Sequence, residues 1–208
     1  METTILPVQL PGSEENMYAG FWSRVGAFLI DMFISYLINY PLQHLMEQGK
    51  LYYYILIPVS TIVVFIYNIY FVKLWGATPG KRIIGLMIIK KNGQFISWKE
   101  AILRHSVELS LTIVMTITTF TTIISLTNEE YIKSGINGAA LKMMADHPFL
   151  ITTLGTIMVL WMWSEYLVLL LNKRKRALHD YIAGTVVVKR KYNELILNYR
   201  NSKQTDKA

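Results

Sequence analysis

The sequence predicts an all-α membrane protein: a four-helix transmembrane bundle with both termini in the cytoplasm and a small cytoplasmic β-hairpin or sheet. Of its 208 residues, 52% are hydrophobic and only 17% are charged, against about 25% charged residues in a typical soluble domain. Mean hydropathy is +0.31, and four apolar segments reach the roughly 20 residues that a spanning helix needs. Cysteine is absent, which removes disulfide frameworks, thiol catalysis and cysteine metal sites.

The four predicted spans carry Tyr and Trp side chains near several of their ends. Each such ring is apolar with one polar atom, and it suits the membrane–water interface. Pro58 lies inside the second span and is expected to kink it. The alternative, four buried helices of a large soluble protein, leaves too few charged residues to cover a soluble surface. The predicted spans are residues 20–40, 51–75, 101–126 and 149–171.

We divide the chain into three segments. Residues 1–17 are expected to form a cytoplasmic N-terminal segment, residues 18–190 a transmembrane domain, and residues 191–208 a basic cytoplasmic tail. The first residues lack the basic start and short apolar stretch of a signal peptide. The first span is therefore expected to stay in the mature protein.

Basic residues predict the orientation, because cytoplasmic loops carry an excess of Lys and Arg. The first loop offers Lys50 and the third offers Lys133 and Lys142, whereas residues 73–104 hold seven basic side chains. We therefore expect the second loop and the tail to face the cytoplasm. There the formal net charge of +7 favours contact with anionic lipid headgroups. The basic residues expected at this surface are Lys81, Arg82, Lys173, Arg174, Lys175 and Arg176.

The second loop also predicts a small sheet. Asn92-Gly93 between two apolar runs is a strong hairpin signal, which gives strands over Ile84–Lys90 and Gln94–Trp98. A third candidate strand covers Gly184–Arg190, and its pairing would stabilise a hairpin that is marginal alone. The competing interpretation is an amphipathic segment on the lipid surface. Thr78–Gly80 is interpreted as a turn that ends the second span.

Each predicted span carries a polar group in the inner half of the bilayer, where a charge costs roughly 2.5–3.5 kcal/mol to insert. Arg24 and Asp31 share a face of the first span, because seven residues are close to two turns. The other spans place Asn68, Glu108 and Glu165 at a similar depth. We expect a buried polar cluster in which Arg24 pairs with Asp31 or with one of the two glutamates, unless it snorkels to the headgroups. Such a cluster either holds the helices together or forms an ion or proton pathway.

Three motifs bracket nearly the whole chain, from about Tyr18 to Lys189. They are GFWSRVGAFLID at residues 20–31, TPGKRIIGL at residues 78–86 and RALHDYIAGTVVV at residues 176–188. Jointly these motifs resemble the RDD family of prokaryotic membrane proteins, which is named for one Arg and two Asp. By this resemblance the three name-giving residues are Arg24, Asp31 and Asp180.

The resemblance implies an integral, multi-pass protein of the bacterial cytoplasmic membrane. The resemblance does not by itself imply one activity: transport, including sodium–proton exchange, is suggested for some members of the family, and association with another membrane protein for others. The chain departs from the commonest layout of the family by a long outer stretch from about Asn128 to Pro148.

Asp180 follows the basic run that ends at Arg176, which places it at the inner membrane surface. There it is expected to pair with Arg24, Lys81 or Arg82, or else to be a turn aspartate ahead of the last strand. The neighbouring His179 has an unperturbed pKa near 6.5. It is either a titrating group or a solvated loop histidine.

No catalytic residue, cofactor or metal site is expected, and we predict that the protein is not an enzyme. None of the four histidines is paired with another at metal-ligand spacing, and no nucleophile elbow is present. Nucleic acid is a weaker candidate partner for the basic tail than anionic lipid, which is nearer and more abundant.

Three functional hypotheses remain. The first is a small secondary transporter or cation/proton exchanger, in which Asp31 and Glu165 contact the ion and Arg24 sets their charge state. Four helices are few for alternating access, so this hypothesis expects a homo-oligomer. The second is a non-enzymatic partner or regulator of another membrane protein, with a purely structural polar cluster. The third is a role in lipid handling, since a basic inner face attracts phospholipid headgroups.

Overall fold

The computed structural model describes residues 5–11, 13 and 15–205, without the side chains of residues 165, 204 and 205. The chain is 75% helical. The prediction of a mostly helical membrane protein with a small sheet is confirmed. Within the described residues, four helices are long and apolar enough to cross a membrane: Phe21–Met46, Lys50–Ile83, Trp98–Ser125 and Pro148–Leu171.

The second of these helices is interrupted. The segment α2 (Lys50–Phe65) contains Pro58 and continues as a π-helical turn, Ile66–Tyr70, into α3 (Phe71–Trp75). Wide π-helical turns of this kind are rare and occur often at functional sites. The turn carries Tyr67 and Asn68. The first spanning helix is α1 (Phe21–Met46), which runs past its predicted end at residue 40.

The turn predicted at Thr78–Gly80 is instead the start of a further short helix, α4 (Pro79–Ile83). The chain leaves α3 two residues earlier, at Gly76, whose φ of +66° is the left-handed conformation that favours glycine. Thr78 then caps α4, because its hydroxyl oxygen accepts a hydrogen bond from the backbone N–H of Lys81 at 3.4 Å. Pro79 suits the first helical position, where no N–H is needed.

The prediction of a hairpin is wrong for its second strand, which was expected at Gln94–Trp98. The turn itself forms: Gly93 has φ +82° and its N–H donates to the carbonyl of Lys90 at 2.9 Å. Residues 94–98 then make only an isolated bridge, between Ile89 and Phe95. The reason lies at Ser97, whose N–H and hydroxyl both donate to Oε2 of Glu100, at 2.7 and 2.6 Å. This cap starts the next helix at residue 98 and leaves no room for a strand.

The strand partner comes from the tail. β1 (Leu86–Lys90) pairs antiparallel with β2 (Thr185–Lys189), in a register that sets Ile88 opposite Val187. In both strands the first four residues are buried. Both faces of the sheet are therefore covered, which explains why the two strands read as unbroken apolar runs rather than as alternating patterns.

The long stretch after the third span is a helix rather than an extended loop. α5 (Trp98–Ser125) is followed by α6 (Asn128–Asp146) and α7 (Pro148–Leu171). A reciprocal capping box starts α6: Glu130 Oε2 accepts from the Thr127 N–H at 2.6 Å, and Thr127 Oγ1 accepts from the Glu130 N–H at 3.2 Å. Inside α6 the backbone kinks at Gly135, which has φ +62°.

The tail is also structured. α8 (Leu178–Ala183) precedes β2, and a 3₁₀ turn at Arg190–Tyr192 leads into α9 (Asn193–Thr205). The predicted basic tail is thus helical through residue 205.

The chain forms two compact units. The first comprises the chain up to Met32, residues 66–105 and the chain from Ser164 onward. One face of its sheet packs on the N-terminal segment and the tail, and the other packs on α1, the π-helical turn and the start of α5. The core of the first face is Leu6, Leu10, Met17, Tyr18, Met87, Ile89, Val186, Val188, Tyr192 and Ile196.

The second unit comprises Phe33–Phe65 and Ser106–Trp163. Its buried core contains Met46, Tyr53, Ile123, Tyr131 and Ala139. Tyr131 is fully buried, and its hydroxyl donates to the carbonyl of Met46 at 2.9 Å. This bond satisfies a carbonyl in the last turn of α1, where helical partners run out.

Candidate functional site

The most deeply buried charged group in the described part of the chain is the carboxylate of Asp180, with 0% of its surface exposed. It lies in the first turn of α8 and accepts hydrogen bonds from four directions. Oδ2 accepts from Arg24 Nη1 at 2.8 Å and from the N–H of Ala177 at 2.9 Å. Oδ1 accepts from Arg104 Nη1 and from the hydroxyl of Thr185 at 3.2 Å. Both oxygens are therefore engaged by protein donors.

The two arginines are themselves buried, at 7% exposure for Arg24 and 3% for Arg104. Arg24, in the first turn of α1, also donates to the carbonyl of Lys175 and to that of Ala19, the latter at 3.4 Å. Arg104, in the second turn of α5, donates to Thr185 Oγ1 at 2.6 Å and faces His179 Nε2 at 2.5 Å. Because a guanidinium can only donate, this contact requires Nε2 of the imidazole to be the acceptor.

The positive charges of Arg24 and Arg104 flank the carboxylate of Asp180 and favour its ionised form. Burial alone would raise the pKa of Asp180, but the charges of Arg104 and Arg24, helped by the N–H of Ala177, hold that pKa well below its ordinary value. Asp180 is accordingly ionised throughout the physiological range.

Asp31 forms a second, separate carboxylate site. Its Oδ1 accepts from the hydroxyl of Tyr67 at 2.5 Å and from the N–H of Gly80 at 2.7 Å, and its Oδ2 accepts from the hydroxyl of Thr78 at 2.6 Å. These donors belong to the π-helical turn and the first turn of α4. Asp31 therefore fastens that turn of α4 to α1.

The close approach of α4 to α1 requires glycine at position 80. A Cβ added there would lie 2.7 Å from both Cγ and Oδ1 of Asp31, and closer still to the carbonyl of Ala27. Real Cβ atoms do not approach backbone and carboxylate atoms so closely. The family-like TPGKR motif is thus explained by packing: Thr78 and Gly80 both supply hydrogen bonds to one aspartate.

A small pocket of about 80 Å³ lies between these two carboxylate sites within the first unit. Arg24, Asp31, Lys81 and His179 supply its polar lining, and the remaining lining is mostly apolar and aromatic. Among the described lining residues, Arg24 and Lys81 supply two positive charges and Asp31 supplies one negative charge. In the described part of the chain, no group of His, Asp and Glu side chains is arranged to hold a metal ion.

The structure brings together some predicted residues and not others. Arg24 and Asp180 form an ion pair, and Lys81 lines the pocket beside them. Arg82 is exposed, with its guanidinium 4.8 Å from the centre of the Trp75 ring. Three members of the predicted basic surface, Lys173, Arg174 and Arg176, line a second pocket, while Lys175 supplies the carbonyl that Arg24 binds.

The wider polar cluster stays a prediction. Asn68 lies in the π-helical turn of the first unit, whereas Glu108 is exposed on α5 in the second unit. The side chain of Glu165 lies outside the part of the chain that the structure describes.

Sequence reasoning missed Arg104, Tyr67, Thr78 and Thr185 as site residues. A usable signal existed for Arg104: like Arg24, it is a basic residue close to the start of an apolar span. Such a residue needs a partner when it is buried. Thr185 and Tyr67 carried no comparable signal, because single hydroxyl groups are common in spans and strands.

The fold and the site together define a small membrane protein in which an arginine at the start of the first span is bound to an aspartate near the end of the chain. A sequence model of the RDD family matches residues 18–184, and the chain belongs to that family. It is similar to the "Uncharacterized membrane protein YteJ" of Bacillus subtilis (strain 168), with 24% identity over 185 residues, which covers 85% of this chain and 84% of that protein. No solved structure matches the chain.

Replacing Gly80 by Ala should destabilise the protein. The added methyl group collides with the Ala27 carbonyl and the Asp31 carboxylate, and we expect a loss of about 1–3 kcal/mol, seen as a lower midpoint of thermal unfolding in detergent. Gly20→Ala is the matched control, since a Cβ there meets nothing within 4 Å. Equal midpoints for the two variants would contradict the close packing of α4 on α1.

Replacing Asp180 by Asn should be more damaging, because two buried guanidinium groups lose their counter-charge. We expect a loss of about 3–5 kcal/mol, measured by the same thermal unfolding. Asp146→Asn is the control, since Asp146 is an exposed partner of Lys142 at 3.4 Å and such pairs contribute little. In the wild type, the folded protein holds the pKa of Asp180 below its value in the unfolded chain, which is near 3.8. The carboxylate therefore stabilises the fold fully at a pH above 3.8, and this stabilisation is lost as the pH falls toward the pKa of the folded state. Equal unfolding of the Asp180 and Asp146 variants would show that the buried pairs do not stabilise the fold.

Proposed function

We propose that this RDD-family protein is a non-enzymatic component of the bacterial cytoplasmic membrane that works by associating with another membrane protein. In this proposal both termini and the two-stranded sheet face the cytoplasm, as the Lys and Arg distribution predicts, and the charge cluster is structural. The observation that carries the proposal is that the carboxylates of Asp31 and Asp180 are fully used by hydrogen bonds from the protein itself. Asp31 accepts three hydrogen bonds and Asp180 accepts four, all from protein donors.

Such saturation does not suit an ion-exchange site. A carboxylate that carries a cation or a proton must exchange its ligands in every cycle, and intramembrane acids with that role face a water-filled path. Releasing Asp180 would remove the carboxylate that two buried arginines share, at a cost of several kcal/mol. The described residues of the pocket lining also carry more positive than negative charge, which disfavours a cation.

The helix α6 provides a second observation that supports association with a partner. Among the described residues, α6 is not one of the helices that are long and apolar enough to cross a membrane, yet it exposes large apolar side chains. Leu141 is 70% exposed, and Ile132 and Met144 are more than half exposed. Apolar side chains exposed on an extramembrane helix are the kind of surface that binds a partner. We propose that α6 is where the associated membrane protein is contacted.

Transport is the second candidate, as a cation/proton exchange with Asp31 as the ion-binding carboxylate and Arg24 as the residue that sets its charge state. The observation that favours it is the shared pocket: Asp31 and His179 line the same cavity, so a carboxylate and a titratable imidazole are close together. A homo-oligomer would be expected under this proposal.

Two measurements separate these proposals. Proteoliposomes containing only the purified protein should show no sodium-linked proton movement, because the carboxylates are locked by protein donors. In bacterial membranes, a photo-cross-linking amino acid at Leu141 should give one adduct of defined mass. The same group at Lys99, which is exposed on α5, should not give it.

Sodium-linked proton movement in the wild type would contradict association as the sole function. If Asp31→Asn and Glu165→Gln abolished that movement while Glu129→Gln, an exposed control on α6, retained it, the exchanger proposal would replace ours. Identical cross-linking at Leu141 and Lys99 would remove α6 as the contact surface.

A further inference from the structure

A basic pocket of about 360 Å³ lies directly after the last spanning helix. Of the described residues that line it, three are cationic and none is acidic. The pocket is formed by Val8, Asn172, Lys173, Arg174, Arg176 and Tyr181, all in the first unit. A site of this composition attracts a negatively charged group.

The loop that carries the cations is held in one shape by its own hydrogen bonds. The side chain of Asn172 donates to the carbonyl of Arg176 at 2.7 Å and accepts from its N–H at 2.9 Å. Lys175 takes the left-handed conformation, with φ +47°, and its N–H donates to the carbonyl of Asn172 at 3.0 Å. The carbonyl of Lys175 in turn binds Arg24. The loop is therefore pre-organised by the charge cluster.

The cations of this pocket lack carboxylate partners in the part of the chain that the structure describes. Arg176 donates to two carbonyl groups, those of Asp180 at 2.8 Å and Thr185 at 3.2 Å, and its guanidinium lies 4.0 Å from the centre of the Tyr181 ring. Arg174 donates to the carbonyl of Leu6 at 3.3 Å. Their orientation is thus fixed while their charge is not neutralised.

Other cations of the same unit are neutralised. Glu15 binds both Lys189 and Lys191, at 3.1 and 3.0 Å, and Glu100 binds Lys90 at 3.1 Å. Unlike these sites, the pocket concentrates positive charge without an acidic partner among the described residues. An uncompensated, oriented guanidinium is the usual recognition group for phosphate.

The position of the pocket indicates which phosphate-bearing molecule it takes. α7 ends at Leu171, and the lining begins at the next residue. The end of a spanning helix lies at the level of the lipid headgroups. Leu170 and Leu171 are 53% and 86% exposed, and they offer an apolar surface beside the cations. A ligand with an anionic head and an apolar tail matches both features.

We propose that this pocket binds the phosphate of an anionic phospholipid, with the acyl chains lying along the end of α7. Arg174 and Arg176 hold the phosphate oxygens, and Lys173 adds charge at the rim. This site goes beyond the association proposed above and does not depend on it, because the ligand is a lipid rather than a protein.

The test is lipid binding to the full-length protein in neutral detergent, read by native mass spectrometry. Phosphatidylglycerol should bind about tenfold more tightly than zwitterionic phosphatidylcholine, since basic side chains near a headgroup attract its net negative charge. The double variant Lys173→Gln/Arg174→Gln should lose about tenfold in affinity for phosphatidylglycerol. The charge-matched Lys99→Gln/Arg190→Gln, which changes two exposed cations outside the pocket, should lose less than about twofold.

A variant that exchanges the two cations and keeps their charge tests whether any loss of binding comes from lost charge rather than from misfolding. Lys173→Arg/Arg174→Lys should keep the preference for phosphatidylglycerol. Three results would overturn the proposal: equal binding of the two lipids, an equal loss in the two Gln double variants, or displacement of phosphatidylglycerol by inorganic phosphate at equal concentration. The second result would mean diffuse attraction to charge, and the third would mean a site for free phosphate.

Discussion

One buried carboxylate balances two buried arginines that reach it from distant parts of the chain. Arg24 lies 156 residues from Asp180 in sequence, and Arg104 lies 76 residues from it. A buried charge is tolerated only when it is paired and hydrogen-bonded, so the three groups depend on one another. Through them the first turn of α1, the second turn of α5 and the first turn of α8 are fixed to a common point.

The sheet follows from the same point. β2 begins at Thr185, whose hydroxyl group bonds both to Asp180 and to Arg104. The register with β1 then buries alternate side chains on two opposite cores. A two-stranded sheet is marginal in water by itself. Here it is stable because both faces are covered and because one end of it is anchored to an ion network.

Positive charge in excess of negative charge is a consistent property of this unit. Among the described residues, Arg174 and Arg176 in the loop after α7 have carbonyl and aromatic partners but no carboxylate partner. The ion pair of Glu15 with Lys191 and Lys189 is exposed to water, and hydrogen bonds from the two lysines, together with their charges, lower the pKa of Glu15 to about 2. That pair keeps its charges at physiological pH but contributes little stability because it is exposed to water. Asp180 and Asp31 therefore hold elements of the fold together, while the loop after α7 presents a basic surface.

Hydropathy and charge were sufficient to predict the four apolar helices, since each effect acts locally along the sequence. The apolar runs 86–90 and 185–189 were recognisable as strands, but the hairpin signal at Asn92-Gly93 favoured the wrong partner. Strand pairing was decided by burial of both faces, which sequence spacing does not report. The α6 helix could have been anticipated from Thr127 and Glu130, whose spacing is that of a capping box.

The sequence includes Asp180 among the possible partners of Arg24 but does not decide between them. Depth along the spans makes Asp31, Glu108 and Glu165 candidate partners, the basic run before Asp180 makes it another, and no local signal ranks a residue 156 positions away above the rest. Asp31 shares a helix with Arg24, yet it serves the first turn of α4 instead. Only the tertiary structure distinguishes the two carboxylate sites.

The central claim is that Arg24 and Asp180 stabilise the protein as a pair, and a double-mutant cycle tests it most directly. Thermal unfolding in detergent would be measured for Arg24→Gln, Asp180→Asn and the double variant. If the pair is coupled, each single variant is strongly destabilised and the double variant is less so than their sum, with an interaction energy of about 2 kcal/mol or more. Effects that add to within about 0.5 kcal/mol would contradict the account.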